Sequence, residues 1–161
     1  MKDPKFVHVE YSQTGSRWNN DCLQFYIDTM ADARIKRKGY DENDYDYAVF
    51  PNSKGDSSIV YRYRSVEQQL GLGTQAPPDN TVAKDIPSSF SNRNGVLTYR
   101  VFVPAKYLLP LRMEKGIPFG FGLYVPDAVE PGKLTGGLTL AEDGLGCYNR
   151  PHLWPLALLT E

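Results

Sequence analysis

The chain is expected to fold as an all-β protein, two antiparallel sheets packed into a β-sandwich with little helix. Three observations predict this. Apolar and polar residues alternate with a period of two over several short stretches, the spacing that turns one face of a strand inward. Aromatics make up 12% of the 161 residues, led by eleven Tyr, and such side chains fit a half-buried pleated surface. Twelve Pro and fourteen Gly punctuate the alternating stretches, a pattern of many short strands and turns rather than long helices.

Taken in order, Phe6 to Tyr11 alternates and reads as a first strand, and Ser12 to Arg17 as a turn. Trp18 to Asp28 follows as a polar turn (Asn19, Asn20, Asp21) leading into a strand. There Leu23, Phe25 and Ile27 form an apolar face, and Cys22, Gln24, Tyr26 and Asp28 a mixed one. Met30 to Lys38 is polar and basic and reads as a solvated loop closed by Gly39. Tyr40 to Phe50 is an acidic turn entering a strand with Tyr45, Tyr47 and Val49 on one face. Pro51 to Asp56 is a turn, and Ser58 to Val66 alternates again, with Ile59, Tyr61 and Tyr63 opposed to Val60, Arg62 and Arg64. The tyrosines at 45, 47, 61 and 63 read as strand-face packing.

Glu67 to Arg93 is the least regular segment. A structureless loop of that length is uncommon in a compact domain, so a short strand is expected near Val82 to Ile86. Asn94-Gly95 is a tight-turn signal that opens a strand from Val96 to Val103, stopped by Pro104. Ala105 to Leu109 reads as one helical turn with Pro104 at its first position. Phe119 to Val125 is a further strand ended by Pro126-Asp127, and its glycines mark a bend or a closely packed neighbour. Leu134 to Leu140 and Leu153 to Leu159 complete a set of about eight strands.

The chain, residues 1–161, is of one-domain length and long enough to bury a core without disulfides or a metal. A formal net charge of −1 gives no steering toward nucleic acid or an anionic membrane. No run of about 18 or more apolar residues is present, so no transmembrane helix is expected. The N-terminus lacks an apolar signal core, which reads as a cytosolic protein or an excised or processed domain. Cys22 and Cys147 lack metal-site spacing and fit either one long-range disulfide or two buried thiols. His8 and His152 fall in no catalytic or metal spacing, and no nucleophile–base order is persuasive. The expectation is a protein that is not an enzyme.

Several segments together resemble the family 9 carbohydrate-binding modules and their wider relatives. Trp18-x-x-Asp21 followed by Phe25-Tyr26-Ile27-Asp28 is similar to the family's Trp-x-x-Asp and its apolar strand ending in Asp. Asn43-Asp44-Tyr45-Asp46-Tyr47 is similar to its acidic entry into the next strand. Leu97 to Pro104 with Ala105 to Leu109, Phe119-Gly120-Phe121 through Asp127, and Asn149-Arg150-Pro151-His152-Leu153-Trp154 resemble its later segments. The match runs from about Phe6 to the C-terminus. Further N-terminal strands that the family carries are expected either from a longer parent chain or from another element.

The resemblance implies an immunoglobulin- or jelly-roll-like sandwich that binds mono-, oligo- or polysaccharide without catalysis. Two aromatic rings would hold a sugar end, since the weakly positive C–H faces of a sugar stack on π-faces, and polar side chains would pair its hydroxyls. Carried over by position, Trp18 is the first stacking aromatic and Gln24 a hydroxyl binder. Tyr148 or Trp154 is the second ring, with Asn149 as the adjacent polar contact. Asp46 and Ala48 stand where sugar-binding members carry Gln-x-Arg, so a bidentate charged donor is missing. Read from its own context, Trp154 instead plugs the edge of the core.

Structural calcium is also implied. Asp21, Asp28, Asp44, Asp46 and Asp127 are candidates, Asp28 and Asp127 foremost, Asp being a hard oxygen ligand; capping of turns is the ordinary role of such residues. An extracellular, periplasmic or cell-surface setting within a larger protein follows from the resemblance alone. Two other classes remain open: a structural or interaction domain with a decayed sugar site, and a haem-binding relative using Met30, Met113, His8 or His152.

Overall fold

A computed structural model describes residues 20–33, 39–41, 43–52, 57–64, 81–141, 148 and 150–160. The expected strand at Phe6 to Tyr11, Trp18, Cys147 and Asn149 lie outside them. The described chain is mostly β, in two antiparallel sheets. Its strands are β1 (Leu23–Asp28), β2 (Asp44–Pro51), β3 (Ser58–Arg64), β4 (Thr81–Val82), β5 (Ser88–Arg93), β6 (Val96–Val101), β7 (Pro118–Glu130), β8 (Lys133–Thr139) and β9 (Leu156–Leu158). The larger sheet runs β4-β3-β2-β1-β7-β8, with β9 also paired to β7, and β5-β6 forms the smaller one. Two short 3-10 turns, Ala105–Tyr107 and Pro151–Leu153, are the helical elements among the described residues.

The period-two pattern sets the layout of β1 and β2. Phe25 pairs with Tyr47 and Ile27 with Tyr45, while Gln24 pairs with Ala48, Tyr26 with Asp46 and Asp28 with Asp44. The first set faces the main apolar cluster, which takes Phe25, Ile27, Tyr45, Tyr47, Val49 and Val60 from the large sheet. Ala83, Ile86, Tyr107, Leu108 and Leu111 come from the connections, with Tyr99 and Val101 of β6 packed against them. The Ser58 hydroxyl donates to Ser88 Oγ at 2.8 Å, tying β3 to β5. The second set faces away from this cluster and carries the polar and aromatic groups of interest.

Four elements depart from expectation. β5 lies in the stretch read as irregular. Its sequence, Ser-Ser-Phe-Ser-Asn-Arg, holds one large apolar residue, so it has almost no alternating signal, yet it pairs with β6 across Asn94-Gly95. Both turn residues have positive φ, 52° and 75°, the geometry that fits two-residue hairpins. β7 does not stop at Pro126-Asp127 but continues to Glu130. Its pairing with β1 ends at Tyr124, so beyond that point β8 is its only ladder partner among the described residues. A proline is tolerated where one side of a strand is unpaired. β9 starts at Leu156 rather than Leu153, because Pro151–Leu153 coils into a 3-10 turn. β4 is likewise cut to two residues: the amide of Ile86 turns back to the Ala83 carbonyl.

Candidate functional site

The outward face of β1, β2 and β7 places two of the sequence-predicted residues together. Gln24 and Asp46 occupy neighbouring pairs of the β1–β2 register, and only 5% and 1% of their surfaces are exposed. The Tyr26 hydroxyl donates to Gln24 Oε1 at 2.7 Å, and Gln24 Nε2 donates to Cys22 Sγ at 3.6 Å. The Tyr40 hydroxyl donates to Asp46 Oδ2 at 2.9 Å. Asp46 Oδ1 is buried without a hydrogen-bond partner among the described residues. Burial pushes the Asp46 carboxyl up to about 7, and the Tyr40 hydrogen bond offsets only part of that.

Rings cover these polar groups. Trp154 stacks on Tyr26 with centroids 5.4 Å apart. Tyr40 lies 6.1 Å from Trp154 at 43° and meets Tyr148 edge-on at 5.8 Å and 81°. Tyr148 is 63% exposed, whereas Trp154 is 5% exposed. Trp154 therefore closes the edge of a small apolar cluster with Tyr26, Tyr124 and Ala141. Its seat depends on Gly122: a Cβ there would stand 2.8 Å from Trp154 Cδ1. The glycines of β7 thus serve close packing, with Gly120 against Asp28 in the same way.

Asp28 and Asp127 are not brought together. Asp28 pairs with Gly120 near one end of β7, and Asp127 sits seven residues further along that strand, roughly 23 Å at a rise of ~3.3 Å per residue. Asp28 Oδ1 and Oδ2 accept the amides of Met30 and Ala33, both at 3.1 Å, capping the turn after β1. Asp127 Oδ2 accepts the Thr135 hydroxyl at 3.2 Å. No group of three or more metal-ligating side chains occurs among the described residues. Met30 and Met113 are both exposed.

Other motif residues have anchoring roles. Asp21 Oδ1 accepts the Ala128 amide at 2.9 Å, at a point where the β7–β8 register shifts. Asn20 Oδ1 accepts the Gly132 amide in the hairpin turn at 3.2 Å. The polar turn before β1 therefore grips the far end of β7. Asp44 Oδ2 accepts the Asp41 amide at 2.8 Å, shaping the entry to β2. Cys22 is a fully buried free thiol, and burial pushes its pKa up to about 12.

Sequence reasoning missed Tyr40 as part of this site. Its turn reads only as an acidic entry to the next strand, and its contacts with Tyr148 and Trp154 join segments far apart in the chain. Tyr26 was legible, since it shares the mixed face of β1 with Gln24. Compared with known proteins, the chain matches no family model, no curated protein and no solved structure.

Proposed function

We propose that the chain is a non-catalytic carbohydrate-binding domain in which the two sheets pack as a sandwich. A sugar end is held at the aromatic surface around Tyr148 and Tyr40, with Trp18 as a further ring and Gln24, Asp46 and Asn149 as polar contacts. The sandwich reading is supported by the single apolar cluster that draws residues from both sheets. The observation that carries the binding reading is the exposed Tyr148 ring standing on Tyr40, whose hydroxyl reaches a buried carboxylate. Exposed aromatic faces beside fixed polar groups are what sugar recognition requires. The likeness to family 9 modules points the same way, and with it to a secreted or surface-attached parent protein containing further domains.

The test is calorimetric titration of mono- and oligosaccharides, with and without calcium. Saturable heat is expected, with an affinity reduced about two- to tenfold by Tyr148→Ala or Trp18→Ala, in line with a loss of ~0.5–1.5 kcal/mol per aromatic contact. No heat with any common sugar removes the reading. A second reading, a structural or interaction domain with a decayed site, is favoured by the burial of Gln24, Asp46 and Trp154 and by Ala48 opposite Gln24. It is the reading left standing if every titration is silent.

A further inference from the structure

We propose that the β8 margin of the large sheet is a self-association surface. A second copy of this chain adds its own β8 antiparallel to the first, making one continuous sheet across a two-fold axis. The inference goes beyond the carbohydrate reading and does not depend on it.

β8 ends the strand order, and β7 is its ladder partner among the described residues. Gly120 of β7 pairs with both Asp28 and Leu156, and Tyr124 with both Gln24 and Thr139. β8 and β9 therefore lie end to end on the side of β7 away from β1, and together they form that margin. Its apolar side chains stand in water: Leu138 is 57% and Leu140 49% exposed, and Leu156 and Leu158 of β9 are exposed as well. Strand edges are ordinarily protected by charge, proline, a bulge or cover. Leu134 to Ala141 holds neither a charged residue nor a proline. The register shift in β8 falls at Thr135, which leaves Gly136 to Thr139 in regular pairing with β7.

The backbone fixes which groups point outward. The Leu140 amide donates to the Leu123 carbonyl of β7 at 3.0 Å. Successive residues of a strand turn their N–H and C=O groups to opposite sides. Leu138 therefore also faces β7, while Gly137 and Thr139 direct theirs away from it.

This margin is complementary to itself. A two-fold axis through Gly137 sets that residue against its own copy and Leu138 opposite Gly136 of the second copy. Leu138 lies on the face of its partner Val125. A Cβ at Gly136 would meet nothing within 4 Å, so each exposed leucine enters open space over the other copy's glycine. Gly137 brings no side chain to the axis. With no charge from Leu134 to Ala141, no like charges meet across it. Such an isologous contact closes at two copies, because each β8 edge is consumed by the other.

The experiment is sedimentation velocity on the full chain from about 1 to about 200 μM, the range in which micromolar association is read. The mass is expected to rise from monomer toward dimer and no further. Amide exchange at Gly137 and Thr139 is expected to slow about tenfold or more at the upper concentration. Leu138→Lys sets two ammonium groups diagonally across the axis on one face, within reach of each other. It is expected to leave a monomer at every concentration, and so is Leu138→Glu. An equal mixture of the two variants is expected to recover the dimer through opposite charges. Leu138 is exposed, so both variants are expected to fold, which circular dichroism verifies. A wild-type chain that stays monomeric with slow exchange at Gly137 and Thr139 overturns the proposal in favour of cover by another segment of the same chain. A monomer with fast exchange at both overturns it outright. So does a dimer that neither variant weakens, or a mixture of variants that stays monomeric.

Discussion

At Asp46 a carboxyl faces rings and one phenol instead of water, and its pKa rises from an ordinary 3.8 to about 7. The folded chain therefore holds this proton more tightly than the unfolded chain does. The resulting contribution to stability is complete below about pH 4, declines as pH rises, and is lost above about pH 7. Asp46→Asn is expected to be close to neutral near pH 4 and stabilising at pH 8, by up to on the order of 4 kcal/mol. Urea unfolding at the two pH values checks this; an equal effect at both would show that the carboxyl does not titrate in the buried state. Cys22 is expected to resist alkylation in the folded protein, because only the thiolate reacts and burial holds its pKa up at about 12. Peptide mapping after iodoacetamide treatment, with and without urea, reads it out. Trp154→Ala leaves a cavity over Gly122 and Tyr26 and is expected to cost about 3–5 kcal/mol, measured by denaturant unfolding. The alternation on β1 and the bland reading of Trp154 were both legible in the sequence. That Asp46 Oδ1 has no hydrogen-bond partner among the described residues was not, because that depends on which groups reach it from other strands.

β7 is the element that joins the parts of the site. It pairs with β1, β8 and β9 along successive stretches. Its glycines admit Trp154 on one side of the strand, and Asp21 takes up the Ala128 amide at its register shift. Removing the carboxylate in Asp21→Ala leaves a buried amide unpaired, at an expected cost of about 1–3 kcal/mol. Faster hydrogen exchange at Ala128 would accompany it, and an unaltered exchange rate would argue against the bond. Gly122→Ala forces Trp154 to move and is expected to destabilise by about 1–3 kcal/mol. The sequence signals of this strand were mixed. Phe-Gly-Phe-Gly-Leu-Tyr-Val was readable as a strand with close packing. Its end was misplaced, since whether Pro126 breaks a ladder depends on which neighbour is still paired there. β5 illustrates the opposite case: its polar residues carry no period, and only the Asn94-Gly95 turn implied a partner strand before it.

Across the molecule, composition and turn chemistry determined that the chain is mostly β, with antiparallel strands at nearly the predicted places for β1, β2, β3, β6 and β8. These elements are set by short-range alternation of apolar side chains and by Gly, Pro and Asn at turns, which act within a few residues. The sequence also placed Gln24 and Asp46 as candidates together. Tertiary structure alone decided that they share a face with Tyr26, Tyr40, Tyr148 and Trp154, and that Asp28 of β1 pairs beside Gly120, far along β7 from Asp127. Strand order set both outcomes: β7 pairs beside β1 across the excursion through β5 and β6, so residues separated by a hundred positions meet. Contacts of that span depend on which strands pair and in what register, and local periodicity, identical for many such arrangements, does not encode the choice.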